Sequence, residues 1–555
     1  MKRFMIDRDL QTLASILTLI IATSVMAGNA RGKKDEGVFD PAPVHHYSLE
    51  IPEEGLAVLR EDRKEENRRT YVKATFREDD VVLRDVGVHL KGGAGSFRQL
   101  GDKPAFTIKF DHFVPGQKYR GLQKLSLNNA VQDPTYLSDL LGNELFRAAG
   151  IPAPRIGHAR LTLNGKTQGF YVVLEPITRD FLRRSFKDVT GNLYKGSGDV
   201  DGDLFVDPKS RSKDRADLKA LTAAAAEPDR NKRQGRMAAI LDLNRFASFL
   251  ALETIHWHWD GYSMAQNNFD IYHDPVSDRL VFFPHDQDQL FGEPEGSIYP
   301  PLNGLVARAF RSTPGGGKIY RERLANLQDK LLDPDAVAKR LENLAAKINP
   351  VITEIDAEQG KAHREAVAGF IERIRKRSQS MREQLERPEP ELPKLLAFDD
   401  LTARTSGWES RITVGQPRFA RSSNGGQEGG GALRISAPEK DEWCGSFRTT
   451  VLLPAGRYRF AGLMKTKGVE PLGESGDQTN TLSGAALRIS GKQPSRKLLG
   501  DQDWTWVQFD FEVTPTEGES AVGHVELVCE LRASRGTVWF DEGSLEVIRE
   551  KEPQQ

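Results

Sequence analysis

The sequence predicts an α+β protein whose C-terminal part is an all-β sandwich. Two observations lead there. Up to about residue 387, alternating strand patterns give way to long stretches of helical periodicity. Beyond the proline-rich stretch Arg387-Pro-Glu-Pro-Glu-Leu-Pro393, only short alternating strands and many glycines remain. The 555 residues have room for such parts, at ~100–200 residues each. We divide the chain into residues 1–27, a linker at 28–43, a first domain at 44–388, a linker at 389–396 and the sandwich at 397–549.

In chain order, Lys2, Arg3 and Arg8 precede an apolar run from Leu13 to Ala27 that ends Val25-Met26-Ala27. Basic residues, an apolar stretch and a small-residue end are the pattern of a secretory signal peptide. The alternative is an uncleaved anchor, but the run falls short of the ~20 apolar residues that span a bilayer. The expected location is therefore secreted, extracellular or periplasmic, with no membrane attachment after cleavage. Residues 46–51, 71–76, 81–90 and 106–110 alternate as strands, which predicts an antiparallel sheet from the mid-40s to about 128. Leu137 to Ala149 has helical spacing and stops at Gly150 and Pro152. Residues 159–163 and 169–174 flank Asn164-Gly165, a hairpin signature. Arg179 to Phe186 reads as a short helix, and Asp199 to Arg236 as an exposed, charged insertion. Leu241 to His256 reads as an amphipathic helix, residues 270–272 and 280–283 as two strands, and 333–387 as helical.

With 78 Lys and Arg against 79 Asp and Glu, the net charge is −1. That balance removes any global attraction to nucleic acid or anionic membranes. The two cysteines, Cys444 and Cys529, are too far apart in sequence for a zinc ribbon or redox motif. In an exported protein they are either one disulfide or two buried thiols.

The densest chemistry is His256-Trp-His-Trp-Asp-Gly-Tyr262, then Gln266-Asn-Asn268, then Pro284-His-Asp-Gln-Asp288. Phosphoryl transfer needs a carboxylate to orient a hydroxyl, and oxygen ligands that hold magnesium against phosphates. Asp260 suits the first task. Asn267 or Asn268, with Asp286, suits the second. The order Asp, Asn, Asp around a hairpin is the order of kinase catalytic and metal-binding motifs.

Several blocks together resemble the CotH (spore-coat protein H) family of atypical protein kinases. They are His89-Leu-Lys-Gly-Gly93, Lys103 to Asp111, Leu122 to Asn129, Gly169 to Glu175 with Phe181 to Phe186, Leu193-Tyr-Lys-Gly196, His258 to Tyr262 with Asn267-Asn268, and Pro284 to Asp288. The resemblance covers about residues 46–385 and implies a kinase-like, two-lobed fold. It implies ATP and Mg2+ as cofactors, and a hydroxyl of an extracellular or cell-surface protein as the acceptor. It makes Asp260 the catalytic-loop aspartate, Asp286 the magnesium-binding aspartate, Asn267 or Asn268 a second ligand, and Asp288 a support to that site. Lys109 is first choice for the ATP phosphates and Lys91 second, with Glu175 pairing one of them. No G-x-G-x-x-G loop is present; Gly92 to Ser96 either cradles phosphate through backbone amides or is a plain turn.

His256-x-His258-x-Asp260 also matches the start of a metallohydrolase motif, an alternative that would place zinc or iron on those three residues. Gly261 stands where that motif needs another histidine. In the C-terminal part, Trp504-Thr-Trp506 and Thr537 to Asp541 resemble strands of carbohydrate-binding jelly rolls. Trp408, Trp443, Trp504 and Trp506 then either stack on sugar rings or fill the core. A non-catalytic surface protein with a glycan-binding module is the remaining alternative.

Overall fold

The computed structural model describes residues 37–550 apart from 42, 63–68, 94, 197, 389–394, 439–440, 473–482 and 515–521. The expected signal peptide and most of both expected linkers lie outside the described residues. Among the described residues, no helix is long and apolar enough to cross a membrane.

Strand β1 (Val44–Glu50) is followed by helix α1 (Glu53–Glu61). Then come β2 (Val72–Glu78), β3 (Val81–Lys91), β4 (Ala105–Lys109), β5 (Lys124–Asn128), α2 (Ser138–Ala148), β6 (Ile156–Leu163) and β7 (Lys166–Leu174). The seven strands close into a barrel in the order β1-β2-β3-β4-β5-β7-β6. This corrects the antiparallel sheet expected to end near residue 128. The β6–β7 hairpin joins it, and β1 runs parallel to β6 from Val44↔His158 to Leu49↔Leu163. Closure removes the unpaired edge an open sheet would leave. Asn164 and Gly165 both take positive φ, 47° and 77°, as a two-residue hairpin turn requires. Strand alternation sends Val86, Val88 and Leu90 of β3, Phe106 and Ile108 of β4, and Leu125 and Leu127 of β5 into the barrel core.

A second body follows: α3 (Arg179–Ser185), β8 (Leu193–Gly196), β9 (Phe205–Val206), α4 (Ala216–Ala225), α5 (Arg230–Ile240), α6 (Leu243–Ile255), α7 (Tyr262–Ala265), β10 (Phe269–Asp274), β11 (Arg279–Pro284), α8 (Leu305–Arg311), α9 (Pro314–Leu331), α10 (Pro334–Ile355) and α11 (Ala357–Glu386). Strands β11, β10, β8 and β9 form a sheet in that order. The expected insertion is not an exposed one. Leu218, Leu221 and Met237 of α4 and α5 enter the main core. Asp199 accepts hydrogen bonds from the Tyr262 hydroxyl at 3.0 Å and the Gln266 amide at 2.8 Å. Helix α6 is also not amphipathic in place, because every residue from Phe246 to Ile255 is buried. Helix α9, β11 and α2 all contact it.

Between Thr402 and Arg549, strands β12–β22 form a seven-stranded and a four-stranded sheet over their own core. Trp408 lies in that core and Trp443 packs against it. Strand β19 (Gly500–Val513) keeps Val507 and Phe509 buried and leaves Trp506 42% exposed. The cysteines are free thiols. On β16 (Trp443–Pro454) and β20 (Val522–Ala533), Cys444 lies opposite Arg532 and Cys529 opposite Phe447. The offset of three residues puts the thiols on opposite faces of one sheet, so no disulfide forms.

Candidate active site

The pleat that fills the barrel turns the intervening side chains outward. Register places Lys91 opposite Ala105, and Asn128 opposite Val172. These four residues form one wall of a cavity whose other side is Asp133, Asp139, Asp286 and Asp288. The Lys91 ammonium donates to Asn128 Oδ1. Lys109 points out of the same face but lies opposite Gly87 and Lys124, about 13 Å along β4 from Ala105. Lys91 lines the cavity and Lys109, the first choice from sequence, does not. Glu175 is a further correction. It pairs with neither lysine but with Arg155 at 2.8 Å and Arg184 at 2.6 Å, because β7 ends there beside both guanidinium groups.

Gly92, Gly93 and Ser96 also line the cavity. Gly92 has φ +112°, and a Cβ there would meet the Phe97 backbone at 3.0 Å. Asn129 donates to the Ser96 carbonyl at 2.9 Å, and Arg69 donates to the Gly92 carbonyl at 3.1 Å. Ala94 lies outside the described residues.

The opposite wall joins the start of α2 to the segment after β11. Ser138 Oγ donates to the Gln287 carbonyl at 2.8 Å, and the Gln287 amide donates to Asp139 at 2.9 Å. Asp133 accepts from the Ser138 amide at 3.0 Å. Asp286 itself adopts positive φ, 47°. Burial, with Asp286 beside it, pushes the Asp139 carboxyl up to about 7. Burial and the carboxylates of Asp286 and Asp139 push Asp288 to about 8. Burial also lowers the Lys91 ammonium, while Asp286, Asp139 and Asp288 act the other way. Carboxylates crowded this closely are relieved by a divalent cation. Among the described residues, no three His, Cys, Asp or Glu side chains converge to hold an ion alone.

Asp260 does not itself line this cavity. Its Oδ2 accepts from the side-chain amides of Asn267 at 3.2 Å and Asn268 at 2.9 Å. The His285 amide donates to the Asn268 carbonyl at 2.9 Å, which ties this group to the end of β11. His258 Nε2 donates to the Asp286 carbonyl at 3.1 Å. Burial holds the His258 imidazole down at about 4, so it is neutral. His258 thus ties the loop that carries Asp260 to the backbone of Asp286. The loop is set by Glu253, which accepts from the amides of Tyr262 at 2.8 Å and Ser263 at 2.9 Å. Gly261 is required there, since a Cβ would lie 2.5 Å from the Glu253 carboxylate and 2.8 Å from His258 Nδ1.

The metallohydrolase alternative fails on the same geometry. His256 is buried edge-on against Phe146, with ring centroids 5.4 Å apart. Gly261 leaves no space for the missing histidine. The structure therefore joins Asp260, Asn267 and Asn268 in one hydrogen-bonded group, and brings Asp286, Asp288 and Lys91 together around the cavity. Asn128, Asp133 and Asp139 escaped the sequence reading. Two aspartates flanking the start of a predicted helix were the available signal.

The CotH kinase protein family model matches residues 88–381, a little over half of the chain. The chain is 25% identical over 198 residues to invasin CotH3 of Rhizopus delemar, covering 31% of this chain and 33% of that protein. It is 20% identical over 330 residues to inner spore coat protein H of Bacillus subtilis, covering 55% of this chain and 87% of that protein. The chain spans about a third of the length of the Rhizopus invasins it matches. Among solved structures, TmCBM61 in complex with β-1,4-galactotriose aligns with a TM-score of 0.18 at 16% identity, over 26% of this chain and 91% of that one. The family 11 carbohydrate-binding module of Lic26A-Cel5E from Clostridium thermocellum aligns with a TM-score of 0.14 at 13% identity, over 27% of this chain and 92% of that one. On the extent of the family match, the chain belongs to the CotH kinase protein family.

Proposed function

We propose that this protein is a magnesium- and ATP-dependent phosphotransferase acting on hydroxyl groups of extracellular or cell-surface proteins. The observation that carries this reading is the cavity in which Lys91 and Asn128 face Asp139, Asp286 and Asp288, lined also by Gly92, Gly93 and Ser96. A phosphate chain needs a cation on one side and metal-holding oxygens on the other. In this reading, residues 44–388 are a kinase-like domain whose lobes are the barrel and the helical body, and residues 397–549 are a separate module. The names of the relatives, a spore coat protein and invasins, support a surface location.

Asp286 and Asp288, with Asn267 or Asn268, would hold magnesium. When bound, the ion neutralises charge on the phosphates. Lys91 exchanges Asn128 for phosphate oxygens. Asp260, oriented by the two asparagine amides, accepts the proton of the acceptor hydroxyl. As that oxygen bonds to the γ-phosphorus, the bond from the γ-phosphorus to the bridging oxygen breaks and ADP leaves. His258 fastens the Asp260 loop to the backbone of Asp286. Most of the rate then comes from positioning and charge placement.

Calorimetric titration of the full chain with ATP, with and without magnesium, tests this. The reading expects binding that requires the ion. No binding under either condition overturns it and leaves a non-catalytic surface protein as the account.

One observation favours a glycan contact as well. Trp504 and Trp506 lie two residues apart on β19, on the face opposite the buried Val507 and Phe509, whereas Trp408 and Trp443 serve the core. Aromatic faces left in water in this way are suited to sugar rings. Affinity electrophoresis through gels of soluble polysaccharides is expected to retard the wild type and not Trp506→Ala. Equal mobility of the two proteins in every gel refutes the contact.

A further inference from the structure

A second cavity, of about 420 Å³, adjoins the first, and the two share Asp133 and Asp288 as a common wall. Its other sides include Trp259, Leu290, Phe370 and Arg373. Trp259 is 47% exposed and directly precedes Asp260. An indole left in water beside the residue that orients the acceptor is apolar surface suited to a partner.

Arg373, on α11, is half-buried, with its guanidinium carbon 5.5 Å from the centre of the Phe370 ring. Among the described residues, no carboxylate lies within ion-pair distance of it. Comparable arginines are satisfied: Arg155 and Arg184 by Glu175, and Arg377 by backbone carbonyls. Asp133, the carboxylate nearest in effect to Arg373, is already occupied by the Thr135 amide at 2.9 Å and the Ser138 amide at 3.0 Å. A partly desolvated guanidinium with no anion of its own is a recognition group for one supplied from outside.

We propose that this second cavity is the acceptor subsite, which takes a segment of a protein substrate with an apolar side chain against Trp259 and an anionic side chain, carboxylate or phosphate, on Arg373. The inference rests on the phosphotransfer reading and adds to it a substrate class: hydroxyl acceptors with an acidic or already phosphorylated residue nearby. The shared wall brings such a hydroxyl next to the phosphate cavity.

The test uses fluorescent serine peptides with Glu, phosphoserine or Lys at each flanking position. They are titrated against the full chain by anisotropy and assayed for label transfer from ATP with magnesium. Glu or phosphoserine peptides are expected to bind about tenfold tighter than Lys peptides. Arg373→Gln levels that preference, Arg373→Glu inverts it, and Trp259→Ala weakens all peptides alike. Magnesium–ATP binding is unchanged in Arg373→Gln, because the guanidinium lines only the second cavity. The better of the Glu and phosphoserine peptides identifies the anion. Transfer without any flanking preference, or a preference unchanged in Arg373→Glu, overturns the inference and leaves phosphotransfer standing. Binding that depends on Arg373 but yields no transfer keeps the subsite and overturns phosphotransfer. Neither binding nor transfer overturns both.

Discussion

Lys91→Met is expected to lower kcat/KM for phosphoryl transfer by about 10²–10³-fold, the usual loss of one preorganised charged donor. Lys109→Met is expected to stay within about twofold of wild type, as a half-exposed strand residue outside the cavity should. The contrast follows from placement, since both lysines leave the same face of the barrel. Only Lys91 ends among Asp286, Asp139 and Asp288, and all three interact with its charge. Removing that charge also takes from Asp139 a neighbour that lowers its pKa. Nucleotide affinity should therefore weaken along with turnover. Asp286→Ala, in the same assay, is expected to abolish magnesium-dependent ATP binding, since it removes the carboxylate at the centre of the cluster. Steady-state kinetics and calorimetry on the four proteins decide the matter. A Lys109 variant that loses as much as the Lys91 variant would refute the placement of the phosphates.

The second large effect concerns stability. Arg377→Met is expected to cost about 3–5 kcal/mol, the range for losing one side of a buried charged network. Arg377 is fully buried on α11 and donates to the carbonyls of Thr254 at 2.6 Å, Ile255 at 3.3 Å and Gly296. Its guanidinium lies 5.4 Å from the Trp257 ring. Gly296 is needed for that contact, because a Cβ would stand 2.3 Å from the indole. Burial lowers the arginine to about 10, so it stays charged at neutral pH. Methionine keeps the stem volume and removes a charged donor from three carbonyls, of which Thr254 keeps the Trp257 amide and Gly296 the Gln384 side-chain amide. Arg377→Lys is expected to recover little, since one ammonium cannot span them. The readout is the urea transition of the full chain, followed where the first domain unfolds. A loss under about 1 kcal/mol would show that water replaces the guanidinium at no great cost. Because the Thr254 and Ile255 carbonyls end α6, where the Asp260 loop begins, the variant should also bind nucleotide more weakly.

How much was legible depended on sequence distance. Asp260, Asn267, Asn268, Asp286 and Asp288 lie within some thirty residues, so their spacing around one hairpin could be read directly. Lys109 was preferred to Lys91 without a physical ground for the order, because strand alternation tells which face a side chain takes and not which end of the strand a cavity covers. Glu175 misled because a carboxylate at a strand end looks the same whether its neighbour is a lysine or two arginines. The parallel pairing of β1 with β6 joins segments more than a hundred residues apart, which no local pattern records. Helix α6 seemed to need a polar face, yet the packing of α9, β11 and α2 around it supplied none.

The sequence by itself determined the elements, the β-rich character of the C-terminal part and the residues clustered around Asp260 and Asp286. Those depend on periodicity, turn chemistry and short-range spacing. Tertiary structure alone decided that the strands close into a barrel, that Lys91 rather than Lys109 faces the carboxylates, that Asp139 joins them, and that the two thiols stay apart. Each of these depends on register between distant strands and helices, and a shift of one residue would reverse which side chains meet.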